Sequence, residues 1–483
     1  MIKTIKNSIK ILACMLAFVS CDEYLDVQPE DKFIEDFVFS SEASVQNVIN
    51  GIYMDMTISS LYGGDLTMTI TDVLAQSYNT ASSDHEYYDF AQYNYNQSSV
   101  KDVFNNIWTN MYVRIVNINK TIENLELNVA NIPSERLNVL KGEMYGLRAM
   151  LHFDLFRLFG PVYSVNATTE SIPYNISAST DIQPLLPASE FIQKVLEDLT
   201  MSVNLLNDDP VRTYGKISVP EQGDNSTGFE GTSFYRYRNL RLNYFAAKAL
   251  QARVYLYAGN TTEAAAAAKV VINEATQWFN WVDINDVITP NNPDRIFSSE
   301  ILFSLFNTNL YNRASSYFGT TVPDFDILAP LQGRLNQTFD NNENDFRFRT
   351  NWGNETKNYK VFQKFSEPTN DNVSYLYMQP LIRMSEMYFI AAETETDITI
   401  ATDYLNMVKL NRGIPSLDAN TIDKEEELTK AYKREFYGEG QLFYYYKRKN
   451  MSTINDGSQV TGTVQMSENT YVIPLPESET TYR

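Results

Sequence analysis

Residues 242–274, LNYFAAKALQARVYLYAGNTTEAAAAAKVVINE, spell out two α-helices joined by a tight turn. From Asn243 to Ala258 the apolar positions Ala246, Ala249, Leu250, Val254 and Tyr257 recur three and four apart, the period of a helix with one buried side. Gly259 stops that helix, because glycine takes the left-handed conformation that closes a last turn at no steric cost. Asn260-Thr261-Thr262 then supplies capping oxygens for a second helix near Glu263. The alanine run Ala264–Ala268 carries no bulk, so a neighbouring helix can come close. The pair is an αα-hairpin.

The same periodicity extends outward on both sides. Glu42–Ile58, Val100–Leu127, Glu190–Leu206, Pro380–Thr394, Thr399–Asn411 and Lys424–Tyr437, with a continuation to Asn450, all read as helices. Ser134–Phe159 is the most apolar. Met144, Leu147, Leu151, Leu155 and Leu158 form one stripe, Tyr145, Ala149, Phe153 and Phe156 another, and Gly160-Pro161 ends it. In the hairpin, Ala252, Tyr255, Gly259 and Ala264 resemble the tetratricopeptide pattern, although Lys248 and Gln251 stand where that pattern has bulky apolar residues. An ordinary antiparallel helix pair fits these residues too. The predicted fold class is mostly α, a tetratricopeptide-like helix-pair scaffold with few short strands. Two stretches interrupt it. Residues 61–97 and 276–373 lack a helical stripe and are crowded with aromatic side chains, a form expected of a functional insertion.

The start of the chain reads as a targeting segment. Lys3, Lys6 and Lys10 precede the apolar run Ile11–Val19, which is too short to span a bilayer as a helix of about 20 residues. Phe18-Val19-Ser20-Cys21 resembles a bacterial lipobox, with Phe18 in place of the usual leucine. The expected organisation is a cleaved signal over 1–20, a tether over 21–40 lipidated at Cys21, and one domain over 41–483. Cys14 falls in the signal, so no cysteine remains for a disulfide or a metal site. The formal charge of −21 repels polyanions and argues against nucleic acid as a partner.

Catalytic signatures are sparse. The two histidines, His85 and His152, cannot assemble a metal cluster, and no G-x-S-x-G, H-E-x-x-H or phosphate-binding glycine loop is present. His152 reads as a core residue of its helix. Asp340, Asn342, Asn344 and Asp345 suggest a calcium loop, but the required glycine and terminal glutamate positions hold Asp345 and Asn351, so a solvated turn is expected. The 32 tyrosines and 4 tryptophans are more informative, because many lie in the two interrupting stretches. Flat rings stack on the C–H faces of sugars while neighbouring Asn, Asp and Arg bond the hydroxyls. Tyr78, Tyr87, Tyr88, Tyr93, Trp281, Tyr311, Arg313, Tyr317 and Trp352 are the candidate ligand-binding residues.

Several separate stretches resemble the SusD/RagB family of outer-membrane nutrient-binding lipoproteins. They are Cys21-Asp22-Glu23-Tyr24-Leu25-Asp26, Gly142–Ala149 continuing to Gly160, the hairpin Leu250–Lys269, Leu405–Gly413, Arg434-Glu435-Phe436, Gly438-Glu439-Gly440, Tyr446-Lys447-Arg448 and Tyr471–Glu477. Gln441 replaces a frequent histidine, and the Glu393–Thr399 connection is short. The resemblance implies about four helix pairs and a loop-rich region holding the ligand site. It also implies an outer-membrane lipoprotein facing the cell exterior. There it would act as a hinged lid that passes an oligomeric nutrient to a SusC-like TonB-dependent transporter, without catalysis or cofactor. A glycan is the first expectation for the nutrient and a peptide, as in the RagB branch, the second. A surface glycoside hydrolase and a helical protein–protein adaptor are the readings from other classes.

Overall fold

The computed structural model describes residues 38–481 apart from 180, 218–228, 230–232 and 290. The export segment 1–20, Cys21 and most of the 21–40 tether lie outside the described residues. The longer helices, numbered along the chain, are α1 (Glu42–Asp55), α2 (Ser98–Leu127), α3 (Ser134–Phe159), α4 (Ala188–Leu205), α5 (Tyr244–Tyr257), α6 (Thr261–Ala275), α7 (Leu310–Phe318), α8 (Gln332–Thr338), α9 (Met384–Thr394), α10 (Ile398–Leu410), α11 (Lys424–Glu435) and α12 (Leu442–Arg448). Short strands form four antiparallel pairs: β1 (Glu170–Pro173) with β2 (Leu185–Pro187), β3 (Ile301–Phe306) with β6 (Met378–Arg383), β4 (Trp352–Gly353) with β5 (Val361–Phe362), and β7 (Thr453–Asn455) with β8 (Thr463–Gln465).

The architecture is mostly helical and tetratricopeptide-like. Along the array α2, α3, α4, α5, α6, α9 and α10, each helix packs on the one before. The α5–α6 hairpin forms as its sequence dictates. Asn243 accepts a hydrogen bond from Ala246 N at 3.1 Å and caps α5, Gly259 turns the chain at φ +76°, and Asn260 accepts from Glu263 N at 3.2 Å to start α6. Ala264, Ala267 and Ala268 are buried, and α6 packs on α9. The polar pair that departs from the tetratricopeptide pattern has a local explanation: Lys248 donates to Gln251 at 3.0 Å, and Gln251 reaches Thr200 on α4 at 3.4 Å.

Between α6 and α9 the chain leaves the array and returns through the β3–β6 pair, whose register sets Ile301 opposite Arg383 and Phe306 opposite Met378. This corrects the expected helix Pro380–Thr394. Its first residues form β6, buried throughout, and the helix begins at Met384. An apolar run buried on both faces shows no alternation to distinguish strand from helix. The 276–373 stretch also holds α7 and α8, too short for a readable stripe. At the other end, α11 and α12 are separated by Gly438 and Gly440, at φ +74° and +69°. A Cβ on Gly440 would lie 2.2 Å from Leu66 O.

Buried ion pairs join these parts. The fully buried Arg412 donates to Glu300 at 2.6 and 3.0 Å and to Glu435 at 2.6 and 3.1 Å. Glu435 also receives Arg347 at 2.8 Å and Arg383 at 3.3 Å. Burial alone would raise the Glu435 carboxyl, but Arg412, Arg347 and Arg383 hold it well below the usual range. Lys447 is buried and donates to Arg157 O, Leu158 O and Gly160 O at 2.9, 3.0 and 2.7 Å, closing the C-terminus of α3. His152 is a core residue, as expected. It stacks on Tyr174 at 3.9 Å, and burial drives its imidazole down to about 3.

A cleft beside helix 310–318

Helix α7 divides the candidate residues between its two flanks. On one side Tyr311, Ala314 and Phe318 face the β4–β5 hairpin across a cleft of about 310 Å³. Apolar walls come from Phe318, Phe362 and Phe365, and polar groups from Asn312, Ser315, Thr320, Glu355, Gln363 and Glu367. Tyr311 is held rather than free: its hydroxyl accepts from Tyr377 N at 2.8 Å, and its ring lies 5.2 Å from that of Tyr377. Glu355 occupies the left-handed region at φ 44°, a conformation that costs a non-glycine residue energy and is enriched at functional sites. Its two carboxylate oxygens accept from Gln363 at 2.6 Å and Thr320 at 3.3 Å, so the group is fixed across the cleft.

Beneath the cleft is a packed aromatic floor. Phe318 meets Phe362 at 5.1 Å, Trp352 meets Phe362 at 5.0 Å and Tyr437 at 4.8 Å, and Tyr78 meets Phe318 at 5.9 Å and Tyr437 at 5.6 Å. Tyr78 and Trp352 are therefore core rings that support the site from below. Beyond α7 the loop is pinned by Lys357, which donates to Val322 O at 2.8 Å and Asp324 at 2.6 Å, and by Tyr359, which donates to Asp324 at 2.7 Å. Directly after these anchors Phe325 is 56% exposed.

The opposite flank of α7 carries Arg313 and Tyr317. Arg313 donates to Thr57 O, and Tyr317 stands within electrostatic reach of Asp65 and Glu86. Tyr87 shares the same neighbours. Burial raises the Asp65 carboxyl to about 7, with the Thr69 hydroxyl opposing and Glu86 adding to the rise. Tyr88 is half-buried and opens a short helix, Tyr88–Ala91. Tyr93 donates to Leu74 O at 2.9 Å and accepts from Gln76 at 3.2 Å, closing a turn within its own segment. Trp281 packs 5.2 Å from Tyr388 and beside Arg412, and does not line the cleft. The structure thus brings Tyr78, Tyr311 and Trp352 together at or under the cleft, and Tyr87, Arg313 and Tyr317 on the other flank of the same helix.

Sequence reasoning missed Asn312, Glu355, Gln363 and Glu367 of the cleft lining, polar residues with no local pattern to mark them. Larger grooves of about 450 and 480 Å³ lie beside α2 and beside α1. The first contains no residue of either loop stretch and the second only Phe306. Among the described residues no group of His, Cys, Asp and Glu is placed to hold a metal ion, and no helix is long and apolar enough to cross a membrane. Asp340 accepts from Arg434, and Asn342 from Asn344 N at 3.0 Å, within the turn considered for calcium. The cleft is equipped to clasp a polyhydroxylated ligand between rings and fixed amide and carboxylate groups.

Comparison with known proteins agrees in both halves of the chain. Residues 23–217 match the SusD-like model described as starch-binding associating with outer membrane, and residues 314–480 match the SusD family model. The SusD-like protein P2 of Formosa agariphila is 25% identical over 281 residues, 56% of this chain and 47% of that protein. The match thus spans about half the length of that curated relative. Among solved structures, a SusD superfamily protein of Bacteroides thetaiotaomicron superposes with a TM-score of 0.70 at 20% identity, covering 92% of this chain and 98% of that one. A putative sugar binding protein of Bacteroides vulgatus gives 0.68 at 23%, covering 92% and 96%. A laminarin binding SusD-like protein gives 0.64 at 17%, covering 91% and 97%. At these identities the likeness is one of fold.

Proposed function

Because the chain belongs to the SusD/RagB family, we propose that it is a glycan-binding protein of the outer membrane that captures an oligosaccharide without covalent chemistry. The observation that carries this reading is the cleft beside α7, where aromatic walls meet a fixed Glu355 and Gln363. Sugar-binding and laminarin-binding descriptions of proteins with this fold support it. In the same reading Cys21 carries a lipid that anchors the protein facing the cell exterior, and a SusC-like TonB-dependent transporter receives the glycan from it as from a hinged lid. Residues 61–97 and 276–373 form the ligand-binding part of the 41–483 domain, with Tyr311 as the ring in the cleft and Tyr87, Tyr88, Arg313 and Tyr317 extending the contact past α7.

A glycan array identifies the ligand, and calorimetry on that ligand then tests the site. Tyr311→Ala and Glu355→Ala should each weaken binding about tenfold or more, the loss of one stacking face or one charge-assisted hydrogen bond. Unchanged affinity in both variants would place the site elsewhere, and a protein that binds no glycan would overturn the reading. Cys21→Ala should move the protein from the detergent phase to the aqueous phase on Triton X-114 partition. Co-purification with a TonB-dependent barrel tests the partner.

A further inference from the structure

The lining of the cleft contains Glu355 and Glu367 and no lysine or arginine. Asp371 adds a third carboxylate within electrostatic reach of Tyr311. The cations on nearby segments are committed to other partners. Lys357 is held by Val322 O and Asp324, the buried Lys364 by Glu439 at 2.5 Å, Arg295 by Thr350 O at 2.9 Å, and Arg313 by Thr57 O on the far flank of α7. Glu355 cannot swing aside without losing its bonds to Gln363 and Thr320. Arg295 lies within electrostatic reach of Glu355 but outside the cleft lining, so an anionic group entering the cleft meets two carboxylates and no cation among the lining residues.

We propose that the cleft selects by charge: it accepts neutral glycans and rejects chains bearing uronate, sulfate or other anionic groups. This rests on the glycan-binding reading above. The physical basis is like-charge juxtaposition at the exposed carboxylates of the lining, an unfavourable contact that salt screens. The neutral hydroxyls of an uncharged chain instead donate to the same carboxylates.

The test uses the full chain in detergent and an array of neutral glucans, galactans, mannans and xylans, each printed beside its carboxymethylated and aminated derivatives. At low ionic strength the preferred neutral polymer should bind about tenfold or more tightly than its carboxymethylated form. That gap should narrow to about threefold or less in 1 M salt, where the screening length falls to about 3 Å. It should narrow likewise in Glu367→Gln, a change at an exposed side chain whose melting temperature serves as the folding control. Equal or tighter binding of the carboxymethylated polymer overturns the charge inference and leaves the glycan reading standing. So does a gap that ignores both salt and Glu367→Gln, which would mark exclusion by bulk, whereas tighter binding of the aminated form supports the charge inference, because the same carboxylates attract an ammonium. Failure to bind any member overturns the glycan reading itself.

Discussion

Asp72 shows how much of this molecule turns on single polar groups below the cleft. It is buried; one carboxylate oxygen accepts from Gly438 N at 2.6 Å and from Tyr78 Oη at 3.3 Å, and the other has no partner. Burial raises its carboxyl from 3.8 to about 8, against the opposing bond from Gly438. Between about pH 4 and 8 the folded protein holds a proton that the unfolded chain has released. Stability therefore falls as pH rises through that window, at up to about 1.4 kcal/mol per pH unit. Asp65 and Asp294, raised by burial to about 7 and about 6, act in the same direction over narrower ranges. Asp72→Asn should flatten the decline of Tm between pH 5 and 8 and raise Tm at pH 8. A wild-type slope retained in that variant would show that Asp72 is ionised in the fold. Nothing in Thr71-Asp72-Val73 marks this aspartate in the sequence, because its distinction is a neighbour, Gly438, hundreds of residues away. The same holds for Tyr78 and Trp352. Composition could place rings in the loops, but only packing reveals that these two lie under the cleft and Tyr311 beside it.

Among the elements, long helices were legible and buried short ones were not. The stripes of α3 and the caps of the α5–α6 hairpin are local features, and α3 has the bounds its sequence predicts. The β3–β6 pair is the counterexample: Pro380-Leu381-Ile382 suits a helix start as well as a buried strand until Ser304 is found opposite Pro380. The C-terminal motif Tyr446-Lys447-Arg448, recognisable in sequence only by resemblance, acquires a physical role. Arg448 pairs with Glu393 at 2.6 and 2.7 Å, and Lys447 fills the carbonyl end of α3. Three carbonyls that no later turn can satisfy are thereby paired inside the protein. Lys447→Met keeps the length of the stem and removes the donors, leaving Arg157 O and Gly160 O unpaired while Leu158 O keeps Ile473 N at 3.4 Å. It should cost about 2 kcal/mol or more, each orphaned acceptor contributing about 1 kcal/mol at least. Urea denaturation reads the change as a lower midpoint at constant slope. A loss below about 1 kcal/mol would mean that water replaces the ammonium and that this end of α3 is open to solvent.

At the scale of the molecule the question is whether the loop-rich insertion is an appendage or part of the same body as the helices. One apolar core runs from Phe39 to Ile473 and includes Leu310, Phe318, Trp352 and Phe362 of the insertion together with the helices of the array. Glu300 and Arg347 join the buried ion network around Arg412 and Glu435; Arg347 also pairs with Asp345 of the insertion, whereas the bidentate partner of Glu300, Arg412, belongs to the scaffold. Neither set can be exposed alone without stranding buried charge in the other, and the two are expected to unfold together. Arg412→Met tests this directly. It leaves Glu300 without the bidentate partner it has and should cost about 3–5 kcal/mol. The near-ultraviolet dichroism signal, to which Trp281 and Trp352 contribute, and the far-ultraviolet signal of the helices should shift downward by the same interval in a thermal scan. Loss of the near-ultraviolet signal ahead of the helical signal, in wild type or variant, would make the insertion a separately folding lid. Coincident transitions instead make the insertion and the helix array one cooperative unit, with the cleft built on the same folded body as the scaffold.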